Sequence, residues 1–221
     1  MIAKWGSDMV PILFYAADTP NNLKVAVALV EMHLAYRLIP VDLDARQQFT
    51  PEFLALNTNN KVPVIVDPSG PGGAPISIFE SGAILQYLGR KTGMLYPAEE
   101  RYRTQVEQWL FWQMAGLGPM LGQAWHFRAR RKAEPYAAAR FSDEGRRLGR
   151  VMEARLREAE YLGGAHYSIA DIAAYPWVRS SCRVLEITRD THPNCRRWLD
   201  AVRARLFVGR AIAMLRGICL R

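Results

Sequence analysis

Residues 61–84 read KVPVIVDPSGPGGAPISIFESGAI. Val62-Pro63 leads into the β-branched run Val64-Ile65-Val66, a glycine- and proline-rich turn follows, and Ile76-Ser77-Ile78 returns as the second arm of a hairpin. Phe79-Glu80-Ser81-Gly82 then opens a helix. The Val62-Pro63 step is a candidate cis peptide, because proline reduces the preference for trans to about 0.5–1 kcal/mol. A strand that ends there leaves the Val62 N–H and C=O free to pair with an extended peptide. Glu80 offers a carboxylate to an ammonium group. Ser81, with the free N–H groups of the first helical turn, offers donors to a carboxylate. A small peptide carrying a free amino acid at one end meets all three demands. The same residues also read as a plain hairpin feeding a helix whose dipole favours an acidic first turn.

The 221 residues, half of them hydrophobic, suffice for one large domain or two small ones. No apolar run approaches membrane-spanning length, and the opening MIAKWGSDMV contains no signal-peptide core. Three cysteines without paired spacing argue against a disulfide scaffold and for a reducing compartment, the cytoplasm. His33, His126, His166 and His192 are scattered, so no metal-ligand pattern is present. The net charge of +8 is uneven: residues 1–95 hold seven Lys/Arg against eight Asp/Glu, and residues 96–221 hold twenty-two against thirteen. The excess is nearly all arginine, and Arg128, Arg130, Arg131 and Lys132 fall within five residues. These arginines read as a solvated helix face with intrahelical partners, such as Glu153 and Arg157, rather than as a nucleic-acid surface. Some could also draw an anionic ligand into a cleft between the halves.

Strand and helix signals alternate in the first half. Residues 11–15 are a short strand, and Thr19-Pro20-Asn21 caps a helix continuing to Leu34. A second strand spans Tyr36 to Leu43, and Thr50-Pro51-Glu52 starts a brief helix to Leu56. The hairpin and a helix from Glu80 to Lys91 complete a thioredoxin-like layer of sheet and helices. Gly93 to Pro97 reads as a linker, and everything beyond reads helical. Residues 101–125 form a long helix that Pro119, in the GLGP at 116–119, should kink. Further helices span 135–160, start at Ser168, and cover 192–205 and 208–215. Ser168-Ile169-Ala170-Asp171 is a capping box with Asp for Glu, flanked by Tyr167 and Ile172 as a hydrophobic staple; its role is folding. The expected division is a domain at 1–92, a linker at 93–98 and an all-helical domain at 99–221.

The Val-Pro turn, the Glu-Ser pair and this architecture resemble the glutathione transferase family over nearly the full chain. Within it, the chain is similar to the bacterial nu class, related to the yeast nitrogen-catabolite regulator. That likeness rests on Thr19-Pro20-Asn21, Asp42-Leu43 leading to Gln48-Phe49, Asn59-Asn60-Lys61-Val62-Pro63, Leu110-Phe111-Trp112-Gln113 and the run from Gly116 to Gln123. Asn22 departs from it, standing where a glycine is common.

The resemblance implies a homodimeric, glutathione-dependent disulfide-bond reductase with weak conjugating activity, binding one or two glutathione molecules per site. By resemblance, Val62 and Pro63 pair with the glutathione backbone, Glu80 and Ser81 hold the γ-glutamyl end, and Gln48 and Lys61 reach the glycyl end. Arg140 matches an arginine that meets a second glutathione. The residues add a reason of their own. Cys182, Cys195 and Cys219 all lie in the helical half, so the attacking sulfur must be glutathione's. Thr19 and Asn21, at the first strand–helix turn, offer donors that lower a thiol's pKa; they also read as a helix cap alone. Tyr15 stands near the tyrosine that activates the thiol in other classes, but four residues before Thr19 it reads as a core side chain rather than a catalytic one. Trp112, Met114, Trp125, His126 and Phe127 read as core or as a co-substrate wall. Two other functions stay open: a transferase conjugating small electrophiles, and a non-catalytic glutathione-binding regulatory protein. The expected partners are therefore glutathione, a small disulfide or electrophile and a second copy of the chain, with neither membrane nor nucleic acid.

Overall fold

The computed structural model describes residues 10–130 and 132–218, so the readings on Arg131 and Cys219 lie outside the described residues. Four strands, β1 (Ile12–Ala16), β2 (Tyr36–Pro40), β3 (Val64–Asp67) and β4 (Ile76–Phe79), form one sheet in the order β2-β1-β3-β4. β1 and β2 are parallel, with Ile12 opposite Tyr36 and Ala16 opposite Pro40, so a helix must carry the chain across: α1, Pro20–Glu31. β3 runs antiparallel to both neighbours, with Leu13 opposite Val66 and Val64 opposite Phe79. Helices α2 (Pro51–Leu56) and α3 (Ser81–Thr92) complete this thioredoxin-like unit. The helical domain follows: α4 (Glu100–Trp112), α5 (Gly118–Ala129), α6 (Pro135–Glu158), α7 (Ile169–Leu185), α8 (Pro193–Arg203) and α9 (Leu206–Arg216).

Local chemistry sets most of the boundaries. Thr19 and Thr50 each cap a helix whose first residue is proline, their hydroxyls accepting from the N–H of Asn22 and Phe53 at 3.4 and 3.3 Å. β2 stops at Pro40, short of the expected Leu43, because Asp42 turns the chain: its Oδ1 accepts from Asp44 N and Ala45 N, each at 2.9 Å. α1 likewise stops at Glu31 rather than Leu34, and His33 takes a positive φ of 54° just beyond.

Two expectations about the helical domain are corrected. The break in the long helix is not a kink at Pro119. Residues Gln113–Leu117 form a π-helical segment, and Pro119 follows it in the first turn of α5. Nor does Glu153 pair with Arg157. Its carboxylate accepts from Asn194 N (3.2 Å), Asn194 Nδ2 (2.6 Å) and Cys195 N (2.9 Å), capping the start of α8. Burial pushes that carboxyl up, but these donors outweigh it and hold it below the usual range. Other arginines do find helical partners, Arg147 with Glu144 at 2.7 Å and Arg196 with Asp200 at 3.1 Å. No helix among the described residues is long and apolar enough to cross a membrane.

The capping box is complete. Asp171, with no exposed surface, accepts from Ser168 N (3.0 Å), Ser168 Oγ (3.1 Å), Leu162 N (2.9 Å) and Trp198 Nε1 (2.8 Å). It thus ties the start of α7 to the preceding loop and to α8. α1 packs against α3 within its own domain and against α7 and α9 of the other, which buries it from Asn22 through Leu29. At its far end Glu31 takes two hydrogen bonds from Arg205, at 2.6 and 2.9 Å, and that guanidinium lies over the Tyr167 ring. The start of α1 is thereby held between the two domains, where a ligand cleft opens.

Candidate active site

Five of the residues singled out in the sequence line one cavity of about 430 Å³: Thr19, Asn21, Gln48, Lys61 and Val62, joined by Trp177 from α7. The Val62-Pro63 peptide is cis. Val62 precedes the β3 ladder, which begins at Val64 opposite Phe79; Pro63 and Glu80 are the next residues along those two strands. The loop is shaped by Asn57, which is buried: its Nδ2 donates to Lys61 O at 2.7 Å, and its Oδ1 accepts from Asn59 N at 2.9 Å. Within that loop Asn60 adopts a φ of 47°, a left-handed conformation asparagine tolerates.

At the mouth of α1 the Thr19 hydroxyl accepts from Asn22 Nδ2 at 2.6 Å as well as from the Asn22 N–H. With its acceptor side occupied, the hydroxyl hydrogen is the part left to donate. Asn22 has helical backbone, so this position has no need of a glycine's freedom. Asn21 Oδ1 accepts from Trp177 Nε1 at 2.9 Å, which leaves the Asn21 amide N–H₂ as its available donor. Two donors therefore stand at the positive end of a helix, an arrangement that favours an anion and lowers the pKa of a thiol. Trp125, reading as wall or core from the sequence, packs on Trp177 with ring centroids 5.4 Å apart. The Gln48 carbonyl oxygen is buried and has no hydrogen-bond partner among the described residues, a site a donor on a ligand would satisfy.

Glu80 and Ser81 part company in their surroundings. Glu80 is exposed, and its backbone takes φ 65° and ψ 113°, uncommon for a residue with a side chain. Ser81 is 3% exposed, and its Oγ accepts from Lys24 Nζ at 3.3 Å. Lys24 stood in an apolar run, Leu23–Leu29, and the sequence reading passed over it. All-round burial of α1 takes it inside, at 1% exposure, where Nζ also donates to Gln113 Oε1 at 2.8 Å and meets Met114 Sδ at 3.4 Å. Burial pushes its pKa down to about 7, with the Glu80 carboxylate opposing that fall. The lysine thus lies directly beneath the Glu80–Ser81 pair, and the π segment of the helical domain supplies its acceptor.

Arg140 lies elsewhere. It lines a larger cavity of about 1080 Å³ on the outer side of α5 and α6, with Tyr136, Glu144 and Arg147. Tyr15 belongs to a small apolar cluster with Val41, Phe53 and Val64, its ring edge-on to Phe53 at 6.4 Å. Neither described cysteine lines the Thr19 cleft. Cys195 is buried in the helical domain, and Cys182 lines a cavity between α7, α8 and α9; burial raises both thiol pKa values.

Residues 9–90 match the glutathione S-transferase N-terminal domain, and residues 135–201 match the glutathione S-transferase C-terminal domain. The disulfide-bond oxidoreductase YfcG of Escherichia coli is 48% identical over 200 residues, covering 90% of this chain and 93% of that protein. A glutathione transferase from Burkholderia graminis, solved with two glutathione molecules bound per subunit, superposes with a TM-score of 0.86 at 41% identity, covering 91% of this chain and 87% of the other. One from Pseudomonas putida, solved with a glutathione disulfide per subunit, gives 0.87 at 36% identity, over 94% and 93% of the two chains. This chain belongs to the glutathione S-transferase family.

Proposed function

We propose that this protein is a glutathione-dependent disulfide-bond reductase of the nu class, acting from the cleft at the start of α1. The observation that carries the reading is the pairing of two oriented donors, Thr19 Oγ1 and the Asn21 amide, in a cavity that neither described cysteine lines. Glutathione is consumed here as a substrate. Its thiolate, stabilised by those donors and the helix end, attacks one sulfur of a disulfide, giving a mixed disulfide with glutathione and releasing one thiolate. A second glutathione thiolate attacks the glutathione sulfur of that intermediate, yielding oxidised glutathione and the second thiol. Two electrons pass from two glutathiones to the substrate disulfide.

Val62, Pro63, Gln48 and Lys61 are assigned to the glutathione backbone and glycyl end, and Glu80 to the γ-glutamyl ammonium. Ser81 contributes its N–H at the start of α3, with its hydroxyl committed to Lys24. The Burkholderia protein with two glutathiones and the Pseudomonas protein with glutathione disulfide support room for both. Arg140, exposed on α6, is assigned to the second molecule on family likeness alone. The same likeness implies a homodimer in the cytoplasm, and Phe79 and Phe111, 40% and 58% exposed, are apolar surface that a second copy could cover. Tyr15 we assign to packing.

The test is a variant with Cys182, Cys195 and Cys219 all changed to serine, assayed for reduction of a small dialkyl disulfide coupled to glutathione reductase. Retained turnover is expected. Loss of turnover in a folded variant would return the nucleophile to the protein.

A further inference from the structure

A second cavity, of about 480 Å³, opens on the far side of α7, between α7, α8 and α9. Four arginines line it, Arg179, Arg196, Arg203 and Arg216, against one carboxylate, Asp200. That carboxylate is already engaged: Asp200 takes two hydrogen bonds from Arg196, at 3.1 and 3.3 Å. No carboxylate pairs with Arg179, Arg203 or Arg216 among the described residues. Three unneutralised guanidinium groups around one concavity repel one another, and folding gains nothing from gathering them.

Tyr175 supplies an independent sign. It also lines the cavity and is 2% exposed, and its buried hydroxyl has no hydrogen-bond partner among the described residues. A buried hydroxyl without a partner forfeits its bonds to water, and native structures leave few such groups unexplained. Burial pushes the Tyr175 ionisation up, while the charges of Arg179 and Arg203 work against it, as they do only when they stand close to that hydroxyl.

We propose that this cavity binds a small, multiply charged anion bearing phosphate groups, held by Arg179, Arg203 and Arg216 with the Tyr175 hydroxyl as a buried donor. Guanidinium forks match phosphate oxygens in pairs, and a di- or triphosphate carries enough oxygens to reach several of them at once. The volume lies within the range of small-molecule sites. The cavity lies outside the glutathione cleft, but α7 serves both: Trp177 reaches Asn21, while Tyr175 and Arg179 face the arginine cavity.

Titration calorimetry of the full chain with sodium triphosphate, at constant ionic strength, tests the assignment, with a nucleoside triphosphate as a second arm. Saturable binding at one site per chain is expected. The affinity should fall about tenfold or more in Arg179→Gln/Arg203→Gln, fall more modestly in Tyr175→Phe, and stay unchanged in Thr19→Ala. Tighter binding of the nucleotide would identify a nucleotide as the source of the phosphates; equal binding would identify the free polyphosphate. Absence of saturable binding overturns the proposal, as does binding that survives in both cavity variants or is abolished in Thr19→Ala. Affinity for a DNA duplex but not for triphosphate would overturn it too, because the arginines would then form an open polyanion surface. Glutathione turnover is not the readout, so the cleft assignment and this one can fail separately.

Discussion

Trp177 Nε1 donates to Asn21 Oδ1 at 2.9 Å, joining two side chains 156 residues apart in the chain. The bond fixes which end of the Asn21 amide faces the cleft, so the helical domain orients a group on the thioredoxin-like domain. Replacing Trp177 by phenylalanine keeps a smaller aromatic ring at the position and removes the donor. The expected result is a fall in kcat/KM for disulfide reduction of about tenfold, with glutathione affinity changed less, because orientation near the sulfur matters most in the transition state. Steady-state kinetics over both substrates separates the two effects, and an equal rise in both KM values would point to loosened packing instead.

Thr19 accepts from Asn22 and has its own hydrogen to give. Thr19→Ala should raise the pKa of bound glutathione's thiol, whereas Thr19→Ser should keep it low. Ultraviolet absorbance of the thiolate across a pH series reads this directly. An alanine variant with an unshifted titration would leave Asn21 and the helix end as the only stabilisers.

Lys24 makes stability depend on pH with a definite sign. Its pKa falls from the ordinary 10.5 to about 7 on folding, so between those values the unfolded chain binds more protons than the folded one. Its contribution to stability is therefore complete above pH 10.5 and is lost as pH falls through 7, with a slope of up to about 1.4 kcal/mol per pH unit in between. Lys24→Met removes that slope. Urea unfolding at pH 6, 8 and 9.5 should show wild type gaining on the variant as pH rises. A constant difference would mean the lysine stays charged, with Gln113 and Glu80 compensating for its burial.

Asp171 is the acceptor for four buried donors. Asp171→Ala should cost about 3–5 kcal/mol or prevent folding, since each orphaned donor carries its own desolvation penalty. Ser168→Ala, losing the cap bond from Ala170 N and the hydroxyl's bond to Asp171, should cost about 1–2 kcal/mol. Denaturation midpoints order the two. A folded, stable Asp171→Ala protein without activity would give Asp171 a chemical role and remove the structural one.

What could be read in the sequence was local. Thr19 and Thr50 announce their helices through the proline that follows, Val62-Pro63 marks the loop before β3, and Ser168 with Asp171 spells out a cap within four residues. The rest depends on partners far along the chain. Lys24 in LKVAVAL carries no sign that Ser81 and Gln113, 57 and 89 residues away, will surround its ammonium. Trp177 looks like any core aromatic until α7 is laid against α1. Glu153 was misassigned for the same reason: a helical neighbour at the right spacing was visible, and the open end of α8, 41 residues on, was not. The π segment escaped because GLGP offered a simpler explanation for a break two residues later.

That segment has an arithmetic consequence. A π turn accommodates one residue more than an α-helix would, and each residue of α-helix advances the chain by about 100° around its axis. Were the same residues wound as unbroken α-helix, the surplus residue would turn everything after it by that angle relative to α4. Leu121 and Ala124 would turn out of the core, and Trp125 would swing away from Trp177. The fit between the two domains at the cleft therefore hangs on how one surplus residue is absorbed, a matter of winding rather than of any side chain.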